Sequence, residues 1–153
     1  MTLQALFNSL QPALGSHVLL YHSTFSDIPD DLKKGIHNVS PDALQQQLTW
    51  LKKRFDIVTI DEYFSSPGRG KAAITFDDGY ASVFDEALPV LQELNIPCTI
   101  FLNGCTLQGK RFWRDKIRYL MNRNLVEDFL RFFVARQGKS YGLNEENFYR
   151  VSK

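Results

Sequence analysis

The sequence of 153 residues has little cysteine, little net charge and no long apolar run. Its two cysteines, Cys98 and Cys105, have six residues between them, a spacing that matches neither a zinc knuckle nor a redox motif. We therefore interpret both as ordinary thiols. The 18 basic and 17 acidic residues leave a formal charge of +1, which gives no electrostatic reason to expect nucleic acid or an anionic membrane as a partner.

The N-terminal stretch, residues 1–20, contains apolar residues but lacks the basic segment that opens a secretory signal. Pro12 and Gly15 interrupt it before it is long enough to cross a bilayer. We expect a cytoplasmic chain without a membrane span. With 44% hydrophobic and 13% aromatic residues, the chain is long enough for one globular domain with a substantial core.

Along the first two thirds of the chain, short apolar segments alternate with longer segments that are long enough to form helices. Four of the apolar segments have the length and composition of buried strands: residues 17–22, 56–60, 72–76 and 98–102. The acidic residues 61–64 are interpreted as a turn. Strands separated by helix-length patterns are typical of βαβ units, so we predict an α/β fold with a parallel sheet.

Two of the connecting segments have clear helical signals. One helix is predicted to begin at Pro41, because Ser40 can cap it and leucines recur on one face. Residues 82–94 also have helical spacing, with Pro89 implying a kink or a late start.

The stretch KAAITFDDGY, residues 71–80, runs an apolar strand directly into two adjacent carboxylates. Asp77 and Asp78 fall at the carboxyl end of a predicted parallel strand, the edge where ligand-binding residues collect. Two neighbouring ionised carboxylates repel each other, and a bound cation would offset that repulsion. In an extended backbone their side chains point to opposite sides, so one could bind a metal while the other faces substrate or water. The alternative is that both are turn residues before Gly79.

Several stretches resemble the polysaccharide deacetylase family. TFDDGY at 75–80, followed by a helical segment and NIPCTIFLNG at 95–104, resembles the family's first motif region. LLYHS at 19–23 and residues 38–64 are similar to the branch of the family that has an early YH pair. FWRDKIRYL at 112–120 resembles a helical insertion of relatives that act on cell-surface polysaccharides. The resemblance covers most of the chain.

This resemblance implies a deformed (β/α) barrel that hydrolyses N-acetyl groups on an amino-sugar polysaccharide with one divalent metal, usually zinc. Matched residue by residue, Asp77 corresponds to the family's general base and Asp78 to its metal-binding aspartate. Such a metal lowers the pKa of bound water while a carboxylate takes the water's proton. His22 and Tyr80, at the same rim, are candidate substrate-binding residues. Each also has a structural interpretation, a hydrogen-bonded strand end for His22 and packing for Tyr80.

The sequence departs from the family beyond the fourth predicted strand. There the family's second motif supplies two histidines, four residues apart, as further metal ligands. This chain has only His17, His22 and His37, all of them upstream. The later arginine-containing and histidine-containing motifs are missing too. Because a catalytic zinc needs about three protein ligands, we expect an incomplete metal site and no activity of the isolated chain.

We interpret residues 1–153 as a single deacetylase-like domain that is truncated at its C-terminus. It would comprise an incomplete barrel of about four strands plus helices, with a helical insertion at about 112–137 and a further helix beginning near Asn144. A missing C-terminal portion or a second copy of the chain would cover the open sheet edge. The alternative is a naturally short relative that has lost hydrolysis.

Two other function classes stay open. A non-catalytic carbohydrate-binding or assembly module could derive from the same family. Receiver domains also place two acidic residues after a strand, to hold magnesium, but they need a further Asp and a Lys at later strand ends, and CTIFLN at 98–103 supplies neither. The expected ligand is therefore a polysaccharide or oligosaccharide, and no nucleic acid partner is expected.

Overall fold

The computed structural model describes residues 15–66, 68–138, 142 and 144. The chain divides into two compact units. Of the described residues, the first unit contains 15–27 and 37–103, and the second contains 28–36 and those from 104 onward. The N-terminal stretch 1–14 and the helix expected after Asn144 lie outside the described residues.

The first unit is built on a parallel sheet of four strands. In chain order they are β1 (His17–Tyr21), β2 (Asp56–Val58), β3 (Lys71–Phe76) and β4 (Thr99–Ile100). β3 is central, and it pairs with each of the other three. Because β1 pairs along the length of β3 on one side, β2 and β4 share its other side. The predicted α/β fold with a parallel sheet is confirmed, and within the described residues the sheet is open, as an incomplete barrel would be.

The helix predicted at Pro41 is confirmed as α1 (Pro41–Lys52), and the Ser40 side chain accepts a hydrogen bond from the Ala43 N–H at 3.3 Å. This cap satisfies one of the N–H groups that a helix start leaves without a partner. The leucine face of α1 is fully buried and packs against one face of the sheet as the core of the unit. Its main members are Leu19, Tyr21, Leu44, Leu48, Leu51, Ile74 and Phe76.

The strand predicted at 56–60 is shorter in the structure, and the prediction of a turn at 61–64 is wrong. β2 ends at Val58, and a helix, α2 (Ile60–Ser65), takes the place of the turn. The cause is a capping box, in which the Glu62 N–H donates to Thr59 Oγ1 at 3.2 Å and the Thr59 N–H donates to Glu62 Oε2 at 3.0 Å. The hydrogen bond from the Thr59 N–H lowers the pKa of the Glu62 carboxyl, and a second hydrogen bond, from the Thr59 hydroxyl, lowers it further.

The sequence predicted a kink or a late helix start at Pro89. Residues 81–82 are already helical, so the structure has an irregular turn before Pro89 rather than a late start. A π-helical stretch, Val83–Ala87, precedes α3 (Leu88–Glu93), and Pro89 is the second residue of α3. Proline has no N–H to donate to the preceding turn, and the Leu88 N–H donates five residues back, to the Val83 carbonyl. This geometry closes the wide turn directly before the proline.

β4 is shorter than predicted, but the chain continues along the sheet beyond it. The Phe101 N–H still donates to the Phe76 carbonyl at 2.8 Å. Residues 101–103 therefore leave the sheet beside the end of β3. Both cysteines are free thiols, as expected, and burial raises the pKa of Cys98.

The second unit is helical in its described residues. It contains α4 (Gly104–Leu107), α5 (Trp113–Asn122) and α6 (Val126–Gln137), and α5 and α6 lie where the sequence predicted helical structure, at about 112–137. The segment 28–36 is attached to α5, because Arg118 Nε donates to the Gly35 carbonyl at 3.1 Å and Asn122 Nδ2 donates to the Asp31 carbonyl at 3.1 Å. Among the described residues, no helix is both long and apolar enough to cross a membrane.

Candidate functional site

Three side chains meet where the parallel strands of the first unit end. His22 follows β1, Asp78 follows β3 and Asn103 follows β4. His22 Nδ1 lies 3.1 Å from Asp78 Oδ2, and Asn103 Nδ2 donates to Asp78 Oδ1 at 3.1 Å. Parallel strands carry their carboxyl ends at one edge of the sheet, so residues far apart in sequence are brought to the same carboxylate.

The backbone turns sharply between the two aspartates. The Asp77 N–H donates to the Tyr21 carbonyl at 2.9 Å, which extends the pairing of β1 with β3 by one residue. Asp78 then has a φ of 72° and Gly79 a φ of 68°, both in the left-handed region. The extended alternation expected at this pair therefore ends at Asp77, and a left-handed turn sets the direction of the Asp78 side chain. Such backbone conformations cost non-glycine residues about 1–2 kcal/mol and concentrate at functional sites.

The two carboxylates differ in their surroundings. The Asp78 side chain is only 13% exposed, and each of its oxygens lies 3.1 Å from a side-chain nitrogen, of His22 or of Asn103. The Asp77 side chain is half-buried and makes no hydrogen bond or ion pair with the residues that the structure describes. Asp77 is thus the carboxylate whose oxygens are left to accept from water or a ligand, whereas Asp78 is held by the protein.

A cavity of about 270 Å³ opens beside His22. The ring of His37 lies 5.3 Å from that of His22, centroid to centroid. A parallel bridge between Ser23 and Asn38 brings His37 to this position. The cavity lining consists of Leu20, Tyr21, His22, Ser23, His37, Asn38 and Val39.

Tyr80 lies next to this rim and packs partly into the core. Its ring is 6.3 Å from the ring of Phe25, in an edge-to-face arrangement. Two side chains around the π-helical stretch hold the neighbouring loop, since Ser82 Oγ accepts from the Thr24 N–H at 3.2 Å and Glu86 accepts from the Ser26 N–H at 2.8 Å. Tyr80 is therefore placed by packing, and a role in substrate binding stays a prediction.

The described residues do not make a complete zinc site. Ranges 15–66 and 68–138 contain no group of three His, Cys, Asp or Glu side chains that could hold a metal ion, whereas a catalytic zinc takes about three protein ligands. His17 lies at the opposite end of β1, where its ring packs edge-on against Phe55 at 5.5 Å. Asp78 alone stands where the resemblance implies a ligand.

The sequence predicted His22, Asp77, Asp78 and Tyr80 at this rim and missed Asn103. For His37 it favoured a backbone contact within its loop over a position at the rim. Asn103 follows the fourth predicted strand, and its position at the same sheet edge was a usable signal. His37 lies in an irregular loop, and only the bridge between residues 23 and 38 brings it to the cavity.

Residues 65–126, which include Asp77, Asp78 and Asn103, match the family model described as polysaccharide deacetylase. The resemblance to polysaccharide deacetylases is confirmed. His22 and His37 lie outside this matched segment. No curated protein sequence matches the chain.

Several solved structures are similar to parts of the chain. The Streptococcus pyogenes deacetylase PplD, in complex with acetate, is 23% identical with a TM-score of 0.52, and the match covers 63% of this chain and 46% of that one. IcaB from Ammonifex degensii is 28% identical with a TM-score of 0.49, covering 57% and 38%. A de-N-acetylase from Aggregatibacter actinomycetemcomitans is 24% identical with a TM-score of 0.46, covering 56% and 36%. The chain thus spans less than half the length of each of these three proteins, and the PplD match supports the fold.

Proposed function

We propose that this chain supplies part of the catalytic site of a hydrolase that removes N-acetyl groups from an amino-sugar polysaccharide or oligosaccharide. One observation carries the proposal: in the segment that matches the family model, the end of β3 presents an Asp77 carboxylate that has no hydrogen-bonding partner among the described residues, beside an Asp78 carboxylate held in place. Asp77 is the proposed general base and Asp78 the proposed metal ligand. His22 and Tyr80 are the proposed substrate-binding residues at the same rim.

The chemistry requires a base close to the bond that breaks. A water molecule attacks the acetyl carbonyl carbon and gives a proton to the base, after which the carbon–nitrogen bond breaks and the amine leaves with a proton. The products are acetate and a free amino sugar. Asp77 suits the role of base because its oxygens make no hydrogen bond with the described residues, so they can receive the water's proton.

A divalent metal, with zinc as the first candidate, is the proposed cofactor, and among the described residues Asp78 is the ligand that we propose for it. We propose that the missing ligands come from a further C-terminal portion or from a second copy of the chain. This C-terminal portion or second copy would also cover the exposed side chains of β1, where Val18 is 44% and Leu20 is 53% exposed. Exposed apolar side chains on a sheet edge favour such a cover.

An acetate-release assay with N-acetylated oligosaccharide and added zinc tests the proposal in two arms. We expect the isolated chain to release no more acetate than its Asp77→Asn variant. Robust turnover that this substitution abolishes would overturn the claim that the site is incomplete. A cytoplasmic location stays a prediction, which fractionation of cells expressing the chain would test.

In the second arm, residues 15–103 are joined to the downstream part of PplD, which takes the place of the proposed C-terminal portion. We expect the chimera to release acetate and to lose that activity with Asp77→Asn. The matched control is Asp56→Asn, which removes a carboxylate from the opposite end of the sheet and should leave turnover unchanged. An active chimera that tolerates Asp77→Asn would contradict the proposed base.

The incomplete ligand set also supports one alternative, a non-catalytic carbohydrate-binding or assembly module. Such a module would bind N-acetylated oligosaccharide equally well with and without the Asp77→Asn substitution, and a folded chimera would release no acetate. Chemical-shift changes on adding the oligosaccharide measure the binding. The two functions are therefore separated by turnover in the chimera.

A further inference from the structure

The Asp78 carboxylate joins the ends of three strands. It belongs to the turn after β3. Its Oδ2 atom is within hydrogen-bond distance of His22 Nδ1, directly after β1, and its Oδ1 atom accepts a hydrogen bond from Asn103, shortly after β4. Each contact bridges a large separation in sequence, 56 residues to His22 and 25 to Asn103. A carboxylate held at both oxygens cannot rotate freely about its terminal bond.

The backbone at Asp78 adds to this restriction. Its φ of 72° is costly for a residue with a side chain. Conformations of this kind persist where surrounding contacts fix them. Hydrogen bonds to an ionised carboxylate are among the stronger ones in proteins, so His22 and Asn103 supply contacts of the required kind. Turn and hydrogen bonds together give Asp78 one orientation.

The contact with His22 also fixes the chemistry of the imidazole. An ionised carboxylate only accepts hydrogen bonds, so His22 Nδ1 must carry the proton in this contact. In the neutral ring the other nitrogen, Nε2, then has a lone pair and no proton. A carboxylate has about four lone-pair positions, so the two hydrogen bonds leave Asp78 able to accept from a further group.

We propose that His22 and Asn103 are positioning residues for Asp78, each holding one carboxylate oxygen, and that His22 does so as its Nδ1–H tautomer. The proposal rests on the proposed function only for the role of Asp78 as a metal ligand. The hydrogen bonds set the direction of Asp78 without a metal, so they can be tested on the 153-residue chain itself. Groups that orient a metal ligand in this way typically change metal affinity by about 10–100-fold when they are removed.

Nitrogen NMR of the histidine-labelled chain at about pH 8, where an ordinary imidazole is neutral, tests the tautomer. Protonated and unprotonated ring nitrogens have well separated shifts, and the His22→Asn variant assigns the His22 signals by their loss. We expect Nδ1 to carry the proton in the wild type. The Asp78→Gly variant removes the carboxylate in a residue that adopts positive φ without strain, and it should shift His22 toward the Nε2–H tautomer.

Asp77→Ala is the matched control, because it removes the adjacent carboxylate, which makes no hydrogen bond or ion pair with His22 or with any other described residue. It should leave the His22 signals unchanged. A wild-type His22 in the Nε2–H tautomer, or a spectrum that Asp78→Gly does not alter, would overturn the proposal. This readout depends on the contact itself, so a general loss of stability would not imitate it.

A double-mutant cycle on the unfolding equilibrium tests the coupling of both donors to Asp78. We expect His22→Ala and Asn103→Ala each to raise the unfolding constant by about tenfold in the wild type, and by much less in the Asp78→Gly background. His22→Asn keeps an amide donor near the position of Nδ1 and should recover most of the loss. Equal effects in both backgrounds would contradict the proposal. Absence of acetate release from the PplD chimera would overturn the proposed function while leaving these contacts intact.

Discussion

Gly79 lies so close to Leu102 that a Cβ added at Gly79 would be 2.6 Å from Leu102 Cδ2. Gly79 also has a φ of 68°, which an alanine adopts only at a cost of about 1–2 kcal/mol. We therefore expect Gly79→Ala to lower the free energy of unfolding by that cost and by about 1 kcal/mol more, because Leu102 must move. Urea unfolding, monitored by circular dichroism, measures the sum of the two costs.

Gly109 offers a matched control for this substitution. Its φ is 70°, but an added Cβ would meet nothing within 4 Å. Gly109→Ala should therefore show the backbone cost alone. In the Leu102→Ala background the extra cost at Gly79 should disappear, since the clashing Cδ2 atom is gone. An equal loss at both glycines would show that the close approach to Leu102 carries no energy.

Local signals were sufficient to predict much of the fold. The strand before Asp77 and the helix from Pro41 were predicted because apolar runs, a serine cap and a proline are all read from neighbouring residues. The position of Asp77 and Asp78 at a ligand-binding edge followed from the strand before them. These features depend on the chain within a few residues of each position.

The remaining features depend on pairing between distant segments or on a single dihedral angle. Asn103 reaches Asp78 because β3 and β4 are neighbours in the sheet, an order that no local pattern specifies. The direction of Asp78 follows from its positive φ, which the sequence DDG permits without requiring. The helix at 60–65 was missed because the pairing of Thr59 with Glu62 was not recognised as a capping box.

The second unit contains an ion pair whose two members have unequal access to water. Arg118 is 2% exposed and Asp115 24%, and Arg118 Nη1 lies 2.7 Å from Asp115 Oδ1. Removing the acid takes one charged partner away from the buried guanidinium, so Asp115→Ala should lower the free energy of unfolding by about 1.5–3 kcal/mol. Arg118→Met should cost less, because the remaining carboxylate can be hydrated. Urea unfolding of the two variants measures this order.

The exposed pair of Arg131 with Glu127, at 3.0 Å, provides the control. Both side chains are mostly in water, so Glu127→Ala should change the free energy of unfolding by less than about 1 kcal/mol. If Asp115→Ala cost no more than Glu127→Ala, the burial of Arg118 would have no energetic consequence. If Arg118→Met were the more damaging change, the hydrogen bond of Arg118 to the Gly35 carbonyl would outweigh the charge.

Stability at high pH should depend on a buried phenol in the core. Tyr21 is 4% exposed and donates to Gln47 Oε1 at 2.9 Å, and burial raises its pKa well above the ordinary value. Folding therefore favours the neutral phenol. Its contribution to stability is complete below the ordinary pKa of about 10 and is lost as the pH rises above that value toward the raised pKa of the folded state.

Replacing this phenol separates its contribution from other alkaline effects. Tyr21→Phe should cost about 1 kcal/mol at neutral pH through the lost hydrogen bond, and its unfolding free energy should fall less steeply than that of the wild type above about pH 10. Tyr63→Phe, which changes a tyrosine of α2 outside the core cluster, should keep the wild-type slope. Urea unfolding from about pH 8 to about pH 11 measures the three curves. Parallel curves for the wild type and Tyr21→Phe would mean that Tyr21 ionises as easily in the folded chain as in the unfolded one, and burial in the core would then not keep its hydroxyl neutral.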